Sequence, residues 1–180
     1  MRFDPKPLSL RPWRADDAQY LVSAWNDPSI AAGAVVPDNR TLADAQRWIA
    51  GCGQRERHLL AIDRVIDVGG EPVGEVGVSS IDQRRGAALM GWWVHRVHRG
   101  QGYATRAVTT MLSELFASDH PAGVSTVLAE IGPDNRVSRQ VAKRSGFAVL
   151  RETAGDRNSI FVAQADKSTT DPVARGEQPR

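Results

Sequence analysis

Residues 99–105 read RGQGYAT and run straight into RAVTTMLSELF. An arginine precedes two glycines one residue apart, and a helical pattern starts directly behind them. Ala104, Ala107, Val108, Met111, Leu112, Leu115 and Phe116 recur at the spacing of one helix face, which predicts a helix over Tyr103–Phe116. Upstream, AALMGWWV (87–94) reads as a strand, joined to the glycines by HRVHR. The first turn of a helix carries unpaired N–H groups and the positive end of its dipole. Glycine, lacking Cβ, lets an oxygen-rich anion approach those groups. Arg96 and Arg99 flank the turn with cations able to form charge-assisted bonds. Two readings of the glycines stand here. One is an anion site, with phosphate the leading class. The other is a tight turn that needs glycine for geometry alone.

Working outward, LSLRPW (8–13) alternates and predicts a first strand. Ala18, Leu21, Val22 and Trp25 then make an amphipathic helix with acidic residues at its front. NDPSIAAGAVVPDNR (26–40) is rich in Pro, Gly and Asn and reads as a loop. Thr41 caps a second helix reaching about Arg57, with Leu42, Ala45, Trp48, Ile49 and Cys52 inward. HLLAIDRVID (58–67), EPVGEVGVSSI (71–81) and the 87–94 strand form an antiparallel meander. After the glycine helix come a strand STVLAEI (125–131), a turn GPDN, and a helix RVSRQVAKRSG closing on glycine. FAVLRE and SIFVAQ make a last strand pair. From about Gln164 the chain is polar and aperiodic, so residues 1–163 are expected to form one domain and 164–180 a disordered tail. The fold class is α+β, a mixed and mostly antiparallel central sheet of about seven strands with about four helices.

Composition narrows the function. At 180 residues the chain suits one domain with a real core. A net charge of +2, with no run of five like charges, gives no footing for nucleic acid. A lone cysteine excludes a disulfide framework, and Cys52 in WIAGC reads as a packed thiol. No stretch approaches ~18 apolar residues and the N-terminus has no apolar leader run, so no membrane partner and a cytoplasmic location are expected. His58, His95, His98 and His120 have no metal-ligand spacing, and no metal is expected.

Which phosphate the glycines serve can be narrowed. There is no GxxxxGK[ST] run for a nucleoside triphosphate. The dinucleotide fingerprint fails at its third small position, where Thr105 stands, and the loop follows a mid-sheet strand rather than the first strand of a βαβ unit. Arg99-Gly100-Gln101-Gly102-Tyr103-Ala104 instead resembles the Q/R-x-x-G-x-G/A motif of the GNAT superfamily of acyl-CoA-dependent N-acyltransferases. NRVSRQVAKRSGF (135–147) is similar to that family's N-x-x-S…GF element, and MGWWVHRVHRGQGYAT resembles the branch that acetylates ribosomal-protein N-termini at alanine or serine. The resemblance covers about residues 8–163 and implies acetyl-CoA as cosubstrate. It implies that the backbone of Trp93, Val94 and His95 pairs with the pantetheine, and that the turn from Arg99 and Gly100 through Gln101, Gly102, Tyr103 and Ala104 to Thr105 holds the diphosphate. Asn135 would contact the cofactor, cap its helix, or both.

Acyl transfer to an amine needs a neutral amine, a polarised carbonyl and a leaving thiolate. An α-amine of pKa near 7.7–8.0 is roughly 10% neutral at pH 7, and a lysine amine about 0.04%. An α-amine therefore asks little of a base. Glu130, ending TVLAEI, sits where the resembling acetyltransferases keep a base and is the first candidate; an exposed or arginine-paired carboxylate is the alternative. Glu75, mid-strand in VGEVGV, is the second, and alternation does not tell which way it faces. Ser138 lies three residues after Asn135, on the same helix face, where the resemblance puts a hydroxyl near the thioester sulfur; a backbone-bonded serine is the alternative. The tyrosine that many family members use as an acid is missing from 141–145. Trp92 and Trp93 point to opposite faces, one into the core and one towards an acceptor cleft. The expected enzyme is an N-acetyltransferase acting directly on a primary amine, a protein N-terminus first and a small molecule second, as monomer or homodimer. A longer acyl donor, a non-catalytic acyl-CoA-binding module and a nucleotide-binding protein are the alternatives.

Overall fold

The computed structural model describes residues 7–153 and 157–166; residues 167–180 of the expected tail lie outside them. The chain runs β1 (Leu8–Arg11), α1 (Ala18–Trp25), α2 (Pro28–Ala31), α3 (Leu42–Arg57), β2 (Ala61–Val68), β3 (Glu71–Asp82), β4 (Ala87–Val94), α4 (Tyr103–Leu115), β5 (Thr126–Ile131), α5 (Arg136–Arg144), β6 (Ala148–Arg151) and β7 (Ser159–Gln164). One seven-stranded sheet has the order β1-β2-β3-β4-β5-β7-β6. All its pairings are antiparallel except β4 with β5. This is the mixed α/β architecture expected from the sequence. No helix among the described residues is long and apolar enough to cross a membrane.

Several boundaries move. The stretch read as loop holds the short helix α2, started by Asp27, whose side chain accepts from the Ser29 N–H, with Pro28 in the first turn. Its four residues are too few to show a period. β1 ends at Arg11, before Trp13. His58 does not open a strand: it closes α3, and β2 starts at Ala61. Leu42, expected inward, is exposed, because the first turn of α3 projects beyond the sheet. Gln164, placed in the tail, is the last residue of β7 and pairs with Thr126.

The two faces of the sheet carry separate cores. Helices α4 and α5 cover one face, against Ile66, Val76, Val78, Met90, Val127, Ala129 and Phe161. Helices α1 and α3 cover the other face at its β1–β3 end, where Trp13, Leu21, Trp25, Ala45, Ile49 and Val65 are buried and Trp48 and Trp93 pack against them. Strand alternation assigns the rest. Val76, Met90 and Ala129 face α4 and α5, so Glu75, Trp93 and Glu130 all lie on the opposite face.

The one parallel seam is short. β4 and β5 pair at Ala87–Thr126, Ala88–Val127 and Leu89–Leu128 and no further. β4 continues to Val94 along β3, and β5 continues to Ile131 along β7. The two strands therefore diverge into a wedge, with the heads of α4 and α5 standing beyond its open end.

Candidate active site

The wedge shows which backbone groups are free to pair with a ligand. The His95 N–H donates to Val73 O at 3.0 Å, so His95 points its backbone at β3. Trp93 does the same by alternation, being in register with Glu75. The N–H and C=O of Trp92 and Val94 are left facing the β5 side. Of the expected trio Trp93, Val94 and His95, only Val94 turns its backbone into the wedge, because edge groups alternate along a strand. The Val94 carbonyl already accepts from Arg99 Nε at 2.8 Å.

At the mouth of the wedge, Gly100 and Gly102 have φ of 79° and 76°, in the left-handed region that favours glycine. A Cβ on either would meet nothing within 4 Å. The turn therefore uses glycine for its geometry and also leaves open space in front of the helix. Gly102 is the N-cap of α4 and supplies no side-chain cap. From Gly100 to Thr105 no backbone N–H finds an acceptor among the described residues; the first helical bond is Arg106 N–H to Gly102 O at 3.1 Å. Gln101, Gly102, Tyr103, Ala104 and Thr105 thus present a row of unpaired donors at the positive end of a 13-residue helix. A diphosphate fits this cradle in charge, donor count and space. The Tyr103 hydroxyl donates to Gln101 Oε1 at 2.9 Å and braces the turn.

The head of α5 is closed instead. Asn135 Oδ1 accepts from the Ser138 N–H at 3.0 Å, so the asparagine caps the helix. The Ser138 hydroxyl has no recorded partner among the described residues. Glu130 is exposed at the end of β5, opposite Ile160 of β7, and its side chain meets no hydrogen-bond or ion-pair partner among the described residues.

Glu75 lies on the same sheet face in a different environment. It is half-buried beside Trp93, and desolvation pushes its carboxyl up to about 8, with Asp63 adding repulsion while the indoles of Trp13 and Trp93 and the Arg55 charge oppose the shift. Tyr20 stacks on Trp93, ring centroids 6.0 Å apart, and lies 5.8 Å from the His95 ring. The Tyr20 hydroxyl is buried with no partner among the described residues, and Trp13 Nε1, also buried, faces Glu75 without closing a hydrogen bond. Trp92 turns to the other face and packs on Phe147, so Trp93 is the tryptophan that shares the α1 and α3 face with Glu75 and Glu130. His95 is held below its usual range by burial, and its Nε2 lies 3.4 Å from Ser23 Oγ. Burial lifts the Cys52 thiol to about 12, which leaves it protonated and inert at neutral pH.

Sequence reasoning missed Tyr20, Asp27 and Ser29. The signal for the last two was present in Asp27-Pro28-Ser29, a helix-start pattern hidden inside a loop composition.

The acetyltransferase (GNAT) domain family matches residues 8–148. An uncharacterized N-acetyltransferase p20 of Bacillus licheniformis is 25% identical over 146 residues, 78% of each chain. Among solved structures, the ribosomal-protein-S5-alanine acetyltransferase of Vibrio fischeri superposes with a TM-score of 0.76 at 18% identity, over 92% of this chain and 97% of its own. The microcin C7 self-immunity acetyltransferase MccE, in complex with acetyl-CoA and AMP, superposes with a TM-score of 0.75 at 20% identity, over 89% and 93%. The family match, spanning most of the chain and both walls of the wedge, assigns this protein to the GNAT acetyltransferases, enzymes that take their acyl group from acetyl-CoA.

Proposed function

We propose that the protein acetylates the N-terminal α-amine of a polypeptide, with Glu130 as proton acceptor and the head of α4 as the diphosphate cradle. The observation that carries this reading is Glu130, exposed at the end of β5 on the sheet face away from α4 and α5, with no side-chain partner among the described residues. An exposed carboxylate works through water and suits an amine that is already roughly 10% neutral at pH 7, not a lysine at about 0.04%. Val35, in the loop after α2, is fully solvent-facing and Val137, in the first turn of α5, is largely so; both offer apolar footholds to a chain.

Acetyl-CoA supplies the acyl group as a thioester with a good leaving thiol. The N–H groups of Gln101 to Thr105 hold its diphosphate, and Val94 offers an N–H at the wedge edge. Glu130 receives the proton lost by the amine nitrogen as its bond to the acyl carbon forms. The Ser138 hydroxyl donates to the departing sulfur; a hydroxyl is too weak an acid to do more than share its proton. Trp93 walls the acceptor side.

A small amine is the second reading, favoured by the aromatic wall of Trp13, Tyr20 and Trp93 around Glu75, which suits a compact cation. CoA-release assays against N-terminal peptides, their Nα-blocked twins and polyamines separate the two. Turnover of free peptides alone supports the proposal. Turnover of polyamines with none of peptides overturns it.

A further inference from the structure

The guanidinium of Arg99, the first residue of the glycine turn, is occupied elsewhere. Its Nε donates to Val94 O at 2.8 Å and its Nη2 to Ser29 Oγ at 2.9 Å, across 70 residues of sequence. The same Nη2 stands 3.9 Å from Asp27 Oδ2, an atom that is buried and meets no donor among the described residues. Asp27 Oδ1 accepts from both the N–H and the hydroxyl of Ser29, at 2.9 and 2.6 Å, and these bonds hold its carboxyl ionised. Arg99 therefore grips the start of α2 while its own backbone begins the diphosphate turn.

From that anchor the chain forms a strap. Its far end is tied by Arg40, whose Nη1 donates to Trp25 O at 2.7 Å. Its middle passes the other wall of the wedge, close enough that a Cβ on Gly33 would lie 3.8 Å from Asn135 Nδ2. Segment 27–40 thus spans from the end of β4 to the head of α5.

We infer that Arg99 is a positioning residue: its side chain, held by Ser29 and Asp27, ties the acceptor-side strap to the diphosphate turn, so that filling the turn with the cofactor steadies the strap for the acceptor. The final 3.9 Å approach to Asp27 Oδ2 is the bond left to close. The acceptor half of this inference rests on the proposed function; the coupling half does not.

Hydrogen exchange on the full chain, with and without CoA, tests it at the amides of Ile30, Ala31, Ala32, Gly33 and Ala34, which close the helical turns of the strap. CoA is expected to slow exchange there in the wild type. Ser29→Ala and Arg99→Met should each speed exchange by a similar factor, the double variant no further, because the two residues share one contact. Both variants should still bind CoA by calorimetry, without the slowing. With an acceptor peptide that turns over, both should raise its KM by about tenfold, the worth of one charge-assisted hydrogen bond. If Arg99→Met abolishes CoA binding while Ser29→Ala leaves strap exchange as in the wild type, the side chain serves the diphosphate and the inference fails. Exchange needs no acceptor, so the coupling is measured even if no amine is acetylated; that outcome overturns the proposed function instead.

Discussion

The two walls of the wedge use the same parts in opposite ways. Each is a strand leading to a helix, with a carboxylate on the sheet face opposite α4 and α5: Glu75 on the neighbouring β3 for one, Glu130 on β5 itself for the other. On the β4 wall the helix head is left open, with donors unpaired among the described residues from Gly100 to Thr105, and the nearby carboxylate, Glu75, is half-buried among aromatic rings and raised to about 8. On the β5 wall the head is capped by Asn135 and the carboxylate, Glu130, stands in solvent. A helix head that satisfies itself has nothing to offer an anion, and an uncapped one forgoes about 1 kcal/mol of cap stability to keep its donors free. Access and basicity are traded in the same way: partial burial raises the basicity of Glu75 and narrows its access to solvent.

The comparison can be broken hardest at the open head. Gly102→Val adds a Cβ to the empty space before the donors and forces a branched residue into a positive φ. Losing even one or two charge-assisted bonds should weaken CoA binding by about a hundredfold, read by calorimetry. The same change should lower Tm by a few degrees, since the left-handed conformation costs about 1–2 kcal/mol. Unchanged CoA affinity would mean that the open head is not the cradle.

The half-buried carboxylate comes next. With its folded pKa raised to about 8 against the usual 4.5, Glu75 is neutral in the fold over a range where the unfolded chain has ionised it. Its contribution to stability is therefore full below pH 4.5, falls as pH rises towards 8 and is flat above. Denaturation of wild type and Glu75→Gln between pH 5 and 8.5 should show the gap widening with pH in favour of the variant, by about 2 kcal/mol or more. Parallel curves would show that Glu75 is ionised in the fold.

The exposed carboxylate should matter to rate alone. Glu130→Gln is expected to lower kcat/KM with an α-amine acceptor by about tenfold, with CoA affinity and Tm held, the loss shrinking as pH rises and the amine sheds its own proton. Equal rates at pH 7 would remove Glu130 from the chemistry. The smallest effect belongs to the closed head, where Asn135→Ala should cost about 1 kcal/mol, or 2–4 °C in Tm. Asn135→Asp should restore most of it, since either residue can cap.

Much of this was legible before any coordinates. The 87–94 strand, the 159–164 strand and the helix behind Thr41 are where alternation, period and capping place them, because each is long or bounded by clear signals. What was hidden depends on neighbours far along the chain. Alternation separates Trp92 from Trp93, yet only the packing of α1 and α3 tells which face is which. The backbone of Trp93 and His95 looked available in sequence and is taken by β3, a fact of register that only the β3–β4 pairing settles. The role of Arg99 was hidden for the same reason: its partners Ser29 and Asp27 are some 70 positions upstream in a stretch that reads as loop.

The three-pair seam between β4 and β5 has a consequence for the whole molecule. It makes the sheet two β-lobes that part beyond Leu89 and Leu128 and are backed by α4 and α5. A bound cosubstrate, lying along Val94 like a guest strand, would complete the protein's own hydrogen-bond ladder and act as structural mortar. At a hundred times its dissociation constant it would add about 2.7 kcal/mol to the folded state.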